Sequence, residues 1–443
     1  MRNKPSYALT SVDNALRLVQ LLRDQGRLRV TDAVAPTSQP VTRFTRAGLL
    51  TVLVCWLLVV FDGYDLIVYG TVQTTLIETT GWGLTKATAG TVGSVAFAGM
   101  LVGALLAGRL SDSLGRKRAV LGCAIAFSVF TVACAFAPNA PVFALLRFLA
   151  GIGLGGLVPS ANALAADVVP ARWRATVATL MMSGVPIGGS IAALTGIAVI
   201  PAWGWDGMFL VGVLPLIFLV PLGIKYLPDL RTVAAPHQGT GFRAILRAPY
   251  LLISLVFAAA TMATLFAWYG LGTWLPGLMQ QAGYNLGSAL TFALTLNLGA
   301  VIGSLITAWA GDRFGSLPTG VVAAAVAGGA LLTIVLAPPV GVVYVMLVLA
   351  GIGTHGTQCL IIAAVAGHYP DHLRGTALGW ALGIGRVGAV AAPQVGGWLL
   401  AAGLGVNSNF IAFALAAGIA AALIAVAWRL AGSRGGRATV IAH

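Results

Sequence analysis

The sequence predicts an all-α membrane protein of twelve transmembrane helices in two six-helix bundles, and three observations carry that prediction. The first is the length of the apolar runs. The 443 residues are 58% hydrophobic and 9% charged, whereas a soluble domain carries about 25% charged residues. The runs reach or exceed the roughly 20 residues that cross a bilayer. They place spans near 47–70, 88–109, 118–137, 141–164, 175–199, 206–226, 250–275, 288–310, 318–337, 341–366, 375–402 and 409–428. The second observation is repetition. Gly108-Arg-Leu-Ser-Asp112-Ser-Leu-Gly115, followed by Arg116-Lys-Arg118, returns in reduced form as Gly311-Asp312-Arg313-Phe-Gly315. The same offset carries Ala150-Gly-Ile-Gly153 onto Ala350-Gly-Ile-Gly353, and Pro170, Arg174 and Thr176 onto Pro370, Arg374 and Thr376. It also carries Gly188 onto Gly388, so one unit of about 200 residues is used twice in the same direction.

The third observation is the sidedness of charge. A net charge of +14 would suit a nucleic-acid partner, but the distribution argues otherwise. Lys and Arg crowd the N-terminal segment, the even-numbered loops and the tail, with Lys86 alone in an odd-numbered loop and Arg147 and Arg386 inside spans. This is the positive-inside pattern, which puts both termini in the cytoplasm of a multi-pass protein of the cell (inner) membrane. No nucleic-acid partner is expected; the bilayer is.

Residues 1–46 form a polar, basic cytoplasmic segment. No apolar run follows Arg2 and Lys4, so it is not a signal peptide. Tyr7 to Gly26 reads as an amphipathic helix, capped by Ser11, with Leu16, Val19 and Leu22 on its apolar face. It resembles the opening helix of the IclR-type winged helix-turn-helix domain. The resemblance stops before any recognition helix, leaving nothing to enter a major groove, so a remnant of such a domain, a gene-fusion scar or a misplaced start is expected, with an ordinary cytoplasmic amphipathic helix as the alternative. The N-terminal bundle follows at 47–227. Residues 228–248, marked by Pro228, Pro236, Gly239 and Gly241, form a linker. The C-terminal bundle takes 249–430, and 431–443 is a tail.

Charges inside spans are expensive and mark function by default. The first span holds Phe61-Asp62-Gly63-Tyr64-Asp65, with Asp62 and Asp65 three apart on one helix face. Arg147 lies in span four at a depth matching Asp65, so the two are expected to meet if those spans are neighbours. Span seven carries Phe266-Ala-Trp268-Tyr269 and Trp274, which either line a pocket or belong to an interfacial belt. Span ten carries His355 and Gln358, and span eleven Trp380 and Arg386. Arg386 is too deep to snorkel, and no acid lies in any span of the second half, so an organic anion is its natural partner. Asp112 is positioned to cap a helix or pair with a neighbouring arginine, making the 108–118 loop a candidate conformational latch.

Other chemistry finds no support. Cys55, Cys123, Cys134 and Cys359 lie within spans without metal-ligand spacing. The runs Gly151-Ile-Gly-Leu-Gly-Gly156 and Gly351-Ile-Gly-Thr-His-Gly356 match a dinucleotide fingerprint formally, but no strand precedes them, so they read as helix-packing surfaces. No nucleophile–base pair is present, so no enzyme and no cofactor are expected.

Asp62-Gly-Tyr-Asp65, the 108–118 loop, Trp274-Leu-Pro276 and Gly379-Trp-Ala-Leu-Gly-Ile-Gly-Arg386 together give the chain its resemblance. From about residue 43 to 430 it resembles a major facilitator superfamily transporter, and more narrowly the aromatic acid:proton symporter family. The resemblance implies alternating access and proton-coupled uptake of aromatic acids of the hydroxybenzoate or phenylpropionate type. It implies a cavity lined mainly by spans 1, 4, 7 and 10, with Asp62 and Asp65 as the proton-coupling acids and Arg386 as the substrate anchor. Arg147, Tyr64, Trp268, Tyr269, Trp380, His355 and Gln358 complete the expected substrate site. Gly108, Asp112, Gly115, Arg116, Asp312 and Arg313 form the expected latch. His355 either relays protons, bonds the substrate, or is a neutral core histidine. A monomer is expected to suffice. Two alternatives stand beside uptake: a proton-coupled exporter of drugs or metabolites, and a membrane-anchored regulator using the N-terminal helix.

Overall fold

Twelve helical passes follow from twelve apolar runs, and side-chain caps open four of the described helices. The computed structural model describes residues 45–229 and 241–440. The helix read at Tyr7 to Gly26 and most of the linker therefore lie outside the described residues. Helix α1 (Arg46–Thr79) starts at Thr45, whose side chain accepts from the Gly48 amide. A capping box at Thr85 and Thr88 opens α2 (Lys86–Leu114), and α3 spans Arg116–Cys134. Asn139 caps α4 (Ala140–Asp167). Helix α5 (Arg174–Leu210) is broken at Gly204, where φ is 80°. There the fifth pass ends; the sixth continues through a π-helical turn, Pro215–Leu219, into α6 (Val220–Tyr226).

A short α7 (Gly241–Ile245) leads into passes seven to twelve: α8 (Leu251–Gln281), α9 (Leu286–Phe314), α10 (Ser316–Val335), α11 (Val340–His368), α12 (Asp371–Ala401) and α13 (Gly405–Val440). Ten described helices are long and apolar enough to cross a membrane. Of the other two passes, one is short at Pro215–Tyr226, and α12 is diluted by its glycines and by Arg386. Two expected boundaries move outward. Helix α1 runs past residue 70 to Thr79, because Thr71 and Gln73, polar residues that read as a helix end, are buried. Helix α13 runs past 428 to Val440.

The repeat is visible in the packing. In the first half α1 packs on α5 and α4 packs on both α2 and α3; in the second, α8 packs on α12 and α11 packs on both α9 and α10. Gly115 and Gly315 turn the matching loops at φ +84° and +92°, a region that favours glycine. A methyl added at Gly151 would strike the Ala96 carbonyl, and one at Gly351 the Leu296 carbonyl. Gly188 and Gly388 meet the carbonyls of Val60 and Met262 in the same way. Lipid offers little hydrophobic drive for helices to associate, so such close backbone approach carries the packing. Large apolar side chains, among them Leu145, Leu305 and Leu415, are exposed to face that lipid.

The two bundles meet where α2 packs on α12 and α5 on α9, with α1 also touching α8. The seam is closed at the end away from the basic loops. Gly70 lies against the backbone of Gly272 and Thr273, and Gly90 against Pro393. Lys86 donates to Gln281 at 2.8 Å, and Thr91 donates to Gln394 at 2.8 Å.

Candidate functional site

Gly63 brings α1 so close to α5 that a methyl there would collide with the Val185 backbone. This contact fixes the acids on either side, and the structure gives them different surroundings. Asp65 is fully engaged. Arg147 Nη1 donates to its Oδ2 at 2.8 Å, and Arg147 Nη2 donates to its main-chain carbonyl at 3.1 Å. Thr131 Oγ1 donates to the remaining carboxylate oxygen at 2.7 Å. Spans one and four are indeed neighbours, and the pair is buried. Asp62 is 0% exposed, and neither of its oxygens has a hydrogen-bond partner among the described residues.

Asp62 lines a cavity of about 430 Å³ between the bundles. Trp268, Tyr269, His355, Gln358 and Arg386 line it too, as does Asn162, which sequence reasoning missed. The rest of the lining is largely apolar, with Met100, Leu101, Met182 and Leu265 among it. From Asp62 and Tyr269 the walls run through Asn162, Ile362 and Leu378 towards the end that bears the basic loops. The His355 and Trp268 rings lie 5.2 Å apart. Arg386 is half-buried, forms no ion pair among the described residues, and lies near enough to Asp62 for its charge to act there.

Three expected substrate contacts fall elsewhere. Tyr64 points away from the cavity, donating to the Met208 carbonyl at 2.9 Å. Its side of α1 faces the bundle interior, which the spacing of the two acids alone did not reveal. Trp380 donates to the Ser254 carbonyl at 3.1 Å and packs against the far end of α8. Arg147 is occupied by Asp65 and does not border the cavity.

At the basic end, Arg116 pairs with Asp167 and also donates to the Ala163 carbonyl at 2.9 Å, tying α3 to the end of α4. The side chains of Gly108 and Asp112 lie outside the described residues. In the second half, Asp312 is exposed and Arg313 lies over the Phe314 ring at 5.8 Å. The matching loops are therefore present, each closed by its glycine at 115 and 315.

The Major Facilitator Superfamily pattern matches residues 55–393 and 295–439. The chain belongs to that superfamily. It is a multi-pass membrane transporter, not an enzyme. A gentisate transporter of Corynebacterium glutamicum is 57% identical over 392 residues, covering 86% of this chain and 88% of its own. A benzoate transport protein of Acinetobacter baylyi is 33% identical over 412 residues, covering 83% and 86%. Among solved structures, a D-xylose–proton symporter aligns with a TM-score of 0.71 at 16% identity, covering 85% of this chain and 97% of that one. That last likeness is one of fold.

Proposed function

We propose that this transporter takes up aromatic carboxylates, gentisate first among them, by proton-coupled alternating access. One observation carries the reading: among the described residues, Arg386 lines the cavity without a protein carboxylate bonded to it, while Asp62 lines the same cavity without a hydrogen-bond partner. The similarity to gentisate and benzoate transporters supports the substrate class.

The charge balance supplies the coupling. With the cavity empty, the Asp62 carboxylate offsets Arg386. A substrate carboxylate that binds Arg386 by charge-assisted hydrogen bonds would leave one surplus negative charge in a poorly solvated site, which is costly. A proton on Asp62 removes it. The empty site and the doubly loaded site are then both neutral, and those are the states that interconvert. Trp268 and Tyr269 provide apolar faces for the ring. Asp65 holds Arg147 and keeps α1 in register with α4. The basic end is the cytoplasmic one, with both termini on that side, so this conformation faces the cytoplasm. The 108–118 loop and its counterpart at Asp312 and Arg313 act as latches in the opposite state. One chain lines the whole cavity, so a monomer suffices.

Uptake of labelled gentisate and benzoate by whole cells, with and without a protonophore, tests this reading. The expected result is protonophore-sensitive accumulation that is lost in Arg386→Ala. Accumulation indifferent to the protonophore would sink the coupling, and net extrusion in the same assay would establish the exporter instead. Transport that survives deletion of residues 1–40 rules out the regulator reading.

A further inference from the structure

Beyond Asp62, the cavity holds buried polar atoms that the charge balance leaves unused. His355 Nε2, Gln358 Oε1 and Asn162 Oδ1 are each sealed from solvent and without a hydrogen-bond partner among the described residues, and all three residues line the cavity. His355 is 3% exposed and Gln358 6%. Buried polar atoms are nearly always bonded, so three orphan atoms on residues that share one cavity call for an occupant that reaches them.

We infer that Asn162, His355 and Gln358 form a polar rim that bonds hydroxyl groups on the substrate ring, so that the transporter favours ring-hydroxylated acids over unsubstituted ones.

The inference rests on the aromatic-acid reading above and adds which members of that class fit. Three points of geometry and chemistry support it. His355 Nε2 has no partner among the described residues and, as one nitrogen of a neutral imidazole, accepts or donates according to the tautomer. The two amide oxygens are acceptors as well. A phenolic hydroxyl donates its one proton to one of the three, and because its oxygen also accepts, it serves equally if either amide is turned end for end. His355 and Gln358 lie three apart on one face of α11, and Asn162 comes from α4 in the other bundle. Arg386 is on α12. Carboxylate and hydroxyls are thus held by different helices, and the hydroxyl contacts draw on both bundles. An unsubstituted ring would leave these buried polar atoms unbonded, which lowers affinity.

The test is equilibrium binding of labelled gentisate and labelled benzoate to the purified full-length protein, wild type against Gln358→Met and Asn162→Leu. Each substitution removes an amide while keeping apolar bulk. The wild type is expected to bind gentisate more tightly than benzoate, and each variant to shrink that ratio by about tenfold, the scale of one buried hydrogen bond. Gln358→Asn, which keeps the amide but withdraws it by one methylene, is expected to shrink the ratio as well. A merely structural role would weaken both acids together. Equal losses for the two acids, an unchanged ratio in the variants, or a wild type that binds both alike overturns the rim. A wild type that binds neither acid fails the aromatic-acid reading itself, which is a different result.

Discussion

At the scale of single residues, two aspartates one helical turn apart divide the labour. Asp65 has its charge matched by Arg147 and its second oxygen held by Thr131. Asp62 has neither. A buried carboxylate with a complete set of partners has little reason to change state, whereas one without partners gains from each proton it takes up. Asp62→Asn is therefore expected to separate binding from coupling. Gentisate would still cross in counterflow exchange, but net uptake would stop at equilibration instead of accumulating, as it does for the wild type with a protonophore. Accumulation undiminished in Asp62→Asn would move the proton elsewhere, and Asp65 would be the next residue to test. Composition and spacing flagged both acids, because charge in an apolar run is conspicuous. Depth along the spans matched Asp65 to Arg147, but it could not show that Thr131 of α3 holds the other oxygen or that Asp62 is left without a hydrogen-bond partner.

At the scale of elements, the internal repeat predicts more than helix count. Positions 158 and 358, 162 and 362, 178 and 378, and 182 and 382 are repeat mates, and all eight line the cavity. Asn162 was thus within reach of the sequence: Gln358 marks the cavity face of α11, Ile362 lies one turn on, and Asn162 is its mate. It was overlooked because a lone amide among small apolar residues carries no charge to draw notice. Tyr64 and Trp380 were placed wrongly for the opposite reason. An aromatic side chain with a polar tip suits a binding site and a bundle interior equally, and only the Met208 and Ser254 carbonyls decide between them. The glycine pattern allows a sharper check. Gly351 lies against the Leu296 carbonyl, while nothing comes within 4 Å of a methyl built at Gly329. Gly351→Ala should destabilise the protein by about 1–3 kcal/mol, the usual cost of overpacking. Gly329→Ala should stabilise it by about 0.5–1 kcal/mol through helix propensity. Unfolding in detergent compares the two, and equal effects would mean that close approach of α9 and α11 does not hold the second bundle together.

At the scale of the whole molecule, transport requires the two bundles to exchange one closed end for the other, and the closed end seen here depends on contacts between α2 and α12 and between α1 and α8. Thr91 bonds Gln394 across that seam, Lys86 bonds Gln281, and Gly90 lets α2 lie directly on Pro393. These contacts are polar or rest on glycine, so they can part without exposing a large apolar face. The sequence showed two bundles and a central site, but not which end would be closed. That is a property of the conformer, because one sequence must support both. A bridge across the seam should therefore trap the protein. In the double variant Thr91→Cys/Gln394→Cys, a short cleavable cross-linker is expected to abolish gentisate uptake, and reduction to restore it. Native Cys55, Cys123 and Cys134 are buried and Cys359 is half-buried, so the wild type treated with the reagent sets the background. Each single-cysteine variant treated with the same reagent should keep transporting. Uptake that continues through a completed cross-link would show that this seam stays shut during the cycle, and the alternating-access reading of the cavity would fall with it.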